Sequence, residues 1–181
     1  MKRTLLFIVG GVLLGGIIHI AIVLLVPFYA ERDAWAKIGG FGRDGTFHTL
    51  PTPEAGAEPI AFLDPRMVQA VCRFSLEDGP VRILAELPEE FWSLAVFDRR
   101  GRNVYSLNDR ASEGARLDVA ILTPVQVAQL RQDPPASLET AIVLELPIDS
   151  GFALIRAFVP DSSLLSSTVS ALNGADCGAS L

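Results

Sequence analysis

Histidine and cysteine are scarce in this chain, with two of each in 181 residues. His19 falls inside a long apolar run, so His48 is the only imidazole outside it, and no close Cys/His spacing of the zinc-binding kind occurs. No metal and no cofactor are expected. A Ser-His-Asp hydrolase would lack a placed base, because His48 lies in a Gly/Pro-rich stretch. Basic clusters are also missing, apart from Arg99, Arg100 and Arg102 at one turn, which reads as a solvated hairpin tip. That is poor material for neutralising phosphates, so no nucleic-acid partner is expected. Gly39-Gly40-Phe41-Gly42 lacks the Lys-Ser/Thr ending of a phosphate loop. Glu89 and Glu90 are adjacent acids before Phe91-Trp92, which fits a loop at a strand entrance better than a pair of placed carboxylates. No internal repeat or low-complexity tract stands out. The sequence therefore supplies no catalytic constellation.

Charge is wholly missing from residues 4–30, and this run comes directly after Lys2 and Arg3. About 20 apolar residues suffice to cross a bilayer as a helix. The run predicts a transmembrane signal-anchor helix over 4–30. Lys2 and Arg3 favour a cytoplasmic N-terminus and export of the chain beyond the helix. A cleaved signal peptide normally has a shorter apolar region, although Ala34-Trp35-Ala36 has the small-x-small form of a cleavage site. Phe28, Tyr29 and Trp35 suit the membrane–water interface. Gly11, Gly15 and His19 recur on one helix face, a pattern that admits a second helix. Gly is also common in membrane helices that pack against nothing, so the pattern alone does not decide.

The exported part carries all 21 acidic residues and 13 of the 15 basic ones, leaving it net −8. It is long enough for one domain with its own core. Cys72 and Cys177 would meet an oxidising compartment, where only one disulfide pairing is open to them. Two unpaired thiols, with Cys72 buried in a strand, are the alternative.

Residues 31–38 can extend the anchor helix. Gly39, Gly40, Gly42, Gly45, Pro51, Pro53 and Pro59 then break regular structure, so 31–59 reads as a juxtamembrane helix and then a linker or extended strap. The domain is expected over 60–181. Asp64-Pro65 is a turn signal. Alternation predicts strands at 67–76, 81–87, 91–97, 103–107 and 117–122, with a hairpin turning at Asp98-Arg99-Arg100-Gly101-Arg102. In the first strand Val68, Ala70, Cys72 and Phe74 share one face. Thr123-Pro124 opens a helix, which makes one crossover possible. Strands at 140–146 and 152–159 come next, and a final amphipathic helix is capped by Asp161 and ended by Asn173-Gly174. The expected fold is mainly β with peripheral helices: an N-terminal transmembrane helix, then an antiparallel β-sandwich-like domain.

Leu63-Asp64-Pro65, Ala70-Val71-Cys72-Arg73-Phe74, Gly79-Pro80-Val81-Arg82, Phe91-Trp92-Ser93-Leu94 and Asn103-Val104-Tyr105-Ser106-Leu107-Asn108-Asp109-Arg110 together form a distinctive order. Over roughly residues 60–160 it resembles the domain of unknown function 1254, in the short membrane-anchored form found in alphaproteobacteria. The resemblance implies a β-rich domain in the cell envelope and frequent companionship with a membrane protein carrying the sister domain 1214. Longer relatives hold both domains in one chain, and here a separate protein is expected to supply the second. The family carries no established activity, so no functional residue transfers.

The expected location is the bacterial inner membrane, with the C-terminal domain in the periplasm. The expected role is a non-enzymatic subunit. A ligand pocket around Trp92, Tyr105, Asp109 and Arg110 is the competing expectation, with an aromatic floor and a charged pair to orient a polar molecule. Its bland counterpart is a strand ending in a turn.

Overall fold

The computed structural model describes residues 2–51, 64, 66–111, 115–132, 135 and 138–178, and only the backbone of 27–34. The expected interfacial placement of Phe28 and Tyr29, and a boundary at 59–60, fall outside the described residues.

The first helix, α1 (Lys2–Gly39), is uninterrupted over 38 residues. Its Lys2–Val26 portion is long and apolar enough to cross a membrane and packs against nothing in the isolated chain. A Cβ added at Gly11 or Gly15 would meet open space, so the Gly11/Gly15/His19 face is uncovered there. The helix stops where Gly39 and Gly40 adjoin, and its last turn closes with Gly40 N–H donating to the Ala36 and Lys37 carbonyls.

The glycine-rich stretch after α1 is a strap, not a free linker. Gly45, at φ +76°, turns the chain, and its N–H donates to the Arg73 carbonyl. Thr46 then bridges to Asp176. β1 (His48–Thr49) pairs with β2 (Met67–Ser75), so the sheet begins ahead of residue 60.

Seven further strands complete the domain: β3 (Val81–Glu86), β4 (Trp92–Asp98), β5 (Asn103–Asn108), β6 (Arg116–Leu122), β7 (Ile142–Glu145), β8 (Ser150–Phe158) and β9 (Asp176–Gly178). They form a five-stranded sheet ordered β1-β2-β8-β4-β5 and a four-stranded sheet ordered β7-β6-β3-β9. Every pairing is antiparallel except β6–β7. That parallel pair needs a crossover, and α2 (Pro124–Leu130) supplies it. Thr123 starts α2 with a reciprocal capping box: its hydroxyl accepts from Gln126 N–H, and Gln126 Oε1 accepts from Thr123 N–H.

The alternation expected in β2 is the one observed. Val68, Ala70, Cys72 and Phe74 join the core between the sheets, with Ile83, Leu94, Leu117, Ile121 and Ile155 fully buried there. Val71 points the other way, into a second cluster with Ile38 and Leu50. Burial of each such side chain contributes about 1.5–3 kcal/mol. Cys72 in β2 and Cys177 in β9 are joined by a disulfide that ties the two sheets together through this core.

α3 (Leu165–Asn173) packs against β1, β2 and β3 through Thr168 and Leu172. Asp161 caps the 3-10 turn Ser162–Leu164 that leads into α3, and does not cap the α-helix itself.

Candidate functional site

Of the four residues expected to line a pocket, Tyr105 alone borders an open concavity. Trp92 is only 1 % exposed and faces the core, because β4 alternates with Trp92, Leu94 and Val96 inward. It cannot floor an open site. Tyr105 pairs with Val96 and packs against the same core. Asn108 ends β5 as a turn residue, its Oδ1 accepting from Arg110 N–H at 3.2 Å. One 3-10 turn, Asp109–Ala111, comes next, and Arg110 points to solvent.

An open concavity in the same region takes in Tyr105 and Asn108 but not Trp92, Asp109 or Arg110. Arg156 of β8 sits directly across from Ser93 of β4, and Ser93 directly across from Asn108 of β5. Strand pairing thus lays a guanidinium, a hydroxyl and a carboxamide in one row across three strands. The row lies in an open concavity of about 620 Å³ that Met67, Phe91 and Tyr105 also line. Phe91 is 46 % exposed. β5 borders the concavity as the last strand of its sheet. It carries no charged residue and no proline over Asn103–Asn108, two of the features that blunt an exposed edge, and its one irregularity is a register shift at Val104, toward the hairpin end and away from Asn108.

Among the described residues, none in or near this row makes an acid–base pair. His48 Nε2 bonds the Arg43 carbonyl oxygen at 3.0 Å, within the strap. Glu89 and Glu90 sit in the bend before β4, as their sequence context suggested. Among the described residues no group of three His, Cys, Asp or Glu side chains could hold a metal ion. Arg82 and Asp118 form a two-point ion pair on the second sheet, at 2.9 and 2.8 Å. The hydrogen bond to Asp118 holds the Arg82 guanidinium above its usual range and outweighs burial. Its place between strands makes it structural.

The other side of the five-stranded sheet's outer face receives the end of α1. Arg73 of β2 places its guanidinium 4.2 Å from the centre of the Trp35 ring. Its Nη1 donates to the Trp35 carbonyl at 3.4 Å and its Nη2 to Asp44 Oδ2 at 3.1 Å. Arg99 lies over the same ring at 5.4 Å. Trp35 packs on Phe152, whose ring stacks on Phe97 at 4.9 Å. A Cβ at Gly39 would displace the Arg73 guanidinium from this position. Helix, strap and sheet are therefore locked together by one aromatic–guanidinium stack.

Arg99 is delivered by the β4–β5 hairpin, whose turn is held by Asp98. The Asp98 carboxylate accepts from the N–H groups of Arg100 and Arg102 and from the Arg102 guanidinium at 2.7 Å. Burial alone would push this carboxyl up. The backbone N–H of Arg102, its guanidinium and the N–H of Arg100 more than offset that and hold it below the usual carboxylate range. Gly101 at φ +79° completes the turn with its N–H on the Asp98 carbonyl.

No curated protein matches the chain. Among solved structures, the chain is similar to the VPA0106 protein from Vibrio parahaemolyticus, at TM-score 0.57 and 10 % identity, over 84 % of this chain and 36 % of that one. This chain thus spans little more than a third of that protein's length. An uncharacterized protein from Burkholderia cenocepacia matches at TM-score 0.42 and 13 % identity, over 61 % of this chain and 31 % of its own. The first likeness is one of fold. The family profile described as "Protein of unknown function (DUF1254)" matches residues 45–174, from the strap to the end of α3. The chain belongs to the DUF1254 family.

Proposed function

We propose that this protein is a non-enzymatic, membrane-anchored subunit of the bacterial cell envelope. It spans the inner membrane once through α1, holds its sandwich in the periplasm, and assembles with a membrane protein carrying the sister domain. One observation carries this reading: β5 is an uncharged edge strand bordering an open concavity. Such an edge takes an added strand from another chain, with side chains of that strand falling into the neighbouring hollow. The Gly11/Gly15/His19 face would give the same partner a second contact inside the bilayer. Mild extraction of a C-terminally tagged chain, and then identification of the proteins that co-purify, tests the reading. A stoichiometric membrane protein is expected, and it should be lost on Phe91→Ser/Arg156→Glu, which alters only the concavity. A lone monomer would overturn it.

The Arg156–Ser93–Asn108 row favours a second reading, a small carboxylate-bearing ligand in the concavity. Its breadth suits an extended segment better than an enclosed molecule. Saturable binding of a small acid by the monomer, abolished by Arg156→Glu, would establish this alternative. A hydrolase, the remaining alternative, has no acid–base pair among the described residues to support it.

A further inference from the structure

We propose that the β4–β5 hairpin tip is a binding surface for anionic phospholipid headgroups in the leaflet from which α1 emerges. The inference rests on the reading that α1 spans the membrane. Trp35 lies nine residues beyond Val26 on one continuous helix, or about 13 Å along its axis. Headgroups extend about 5–8 Å past the hydrocarbon on each side, and an ordinary helix tilt of about 20° lowers Trp35 further. Side chains on a helix lean toward its N-terminus, which here is the membrane side. The Trp35 ring and the Arg99 guanidinium stacked over it are therefore held just above the headgroup layer.

The charge of the tip is opposite to that of its surroundings. The chain beyond residue 30 has 13 basic and 21 acidic residues, so the domain as a whole is repelled by an anionic surface. At the tip, Asp98 is paired with Arg102 and Asp44 with Arg73, which leaves Arg99 and Arg100 to supply the positive charge. On α1 the turn before Trp35 carries Glu31, Arg32 and Asp33 and the last turn carries Lys37, so residues 31–37 are net neutral and add no net attraction. The turn is preorganised by Asp98 and by Gly101 in its positive-φ conformation. Guanidinium groups match phosphate with two parallel hydrogen bonds, and Trp favours the interface beside them.

The full chain would be placed in phosphatidylcholine nanodiscs with increasing phosphatidylglycerol. Quenching of tryptophan emission by acrylamide would then be read. Trp92 is already shielded at 1 % exposure, so the changing signal is that of Trp35. Shielding should rise with phosphatidylglycerol and fall again in high salt. R99S/R100S should raise the half-saturating phosphatidylglycerol fraction by about 5-fold per arginine, from about 1 kcal/mol each. R131S, an exposed arginine on the far sheet's helix, should leave it unchanged. Shielding that ignores phosphatidylglycerol, or that R131S weakens as much as R99S/R100S does, overturns the inference alone. A chain that enters neither kind of disc overturns the spanning reading and this inference with it.

Discussion

Reduction of the Cys72–Cys177 bridge should remove a large part of the domain's stability. The bridge spans a sequence separation of 105 residues. In the chain-entropy treatment a closed loop of that length takes about 16 cal/mol/K from the unfolded chain, or about 4.8 kcal/mol at 25 °C. Whole domains are stable by about 5–15 kcal/mol, so this is a substantial fraction. With a urea slope of about 2 kcal/mol per M, the midpoint should fall by about 2.4 M on reduction. Urea titration of the detergent-solubilised chain, oxidised against reduced, reads it through Trp92 in the core and Trp35 near the end of α1. Reduction keeps both sulfur atoms, in residues that are 0 % and 1 % exposed, so it isolates the cross-link. C72A/C177A also loses packing and should fall lower by about a further 1–2 kcal/mol. β9 is only Asp176–Gly178 long, so its amides should lose hydrogen-exchange protection first. A midpoint that moves by less than about 0.5 M on reduction would refute the chain-entropy argument here.

Two further perturbations probe the five-stranded sheet. A Cβ at Gly151 would strike the Phe97 carbonyl oxygen across β4–β8 and crowd the Phe74 ring at 3.2 Å. Gly151→Ala should therefore cost about 1–3 kcal/mol, seen as a melting shift of about 2–4 °C per kcal/mol; an unchanged melt would show that the strands can spread without cost. Asp98 has a lower pKa folded than unfolded, so its stabilisation is complete above about pH 4 and disappears as pH falls through the folded value. Asp98→Asn should flatten the acid limb of the stability curve below about pH 4, and an identical limb in both proteins would count against the hairpin argument.

Much of the architecture could be read from local pattern. The β2 alternation, the Thr123-Pro124 helix start and the Asp98–Arg102 turn all encode their structure within a few residues. β1 and β9 could not be read this way, since two and three residues carry no periodicity. The apolar runs around 140–146 and 152–159 read as successive strands, yet β7 and β8 lie in different sheets. Only long-range pairing decides that. The same limit hid the polar row. Ser93, Asn108 and Arg156 become neighbours because β8 inserts between β2 and β4, which nothing near Arg156 announces. Trp92 was open to a better reading: Trp92, Leu94 and Val96 share one phase of β4, and that phase is the core's. The docking of Trp35 on Arg73 joins positions 38 residues apart, and the glycines that permit it look, in sequence, like a flexible tether.

The unbroken run of α1 into that aromatic–guanidinium stack makes the sandwich behave like the head of a key on its shaft. With α1 spanning a bilayer as proposed, its compass bearing in the plane of that bilayer would be set by helical phase. One residue inserted between Val26 and Trp35 would swing the β5 edge by about 100° and raise it by about 1.5 Å. Two inserted residues would turn it nearly to the opposite side, while a seven-residue insertion would restore the bearing at a height about 10 Å greater. A neighbour fixed in the same membrane could meet the β5 edge at only one such setting.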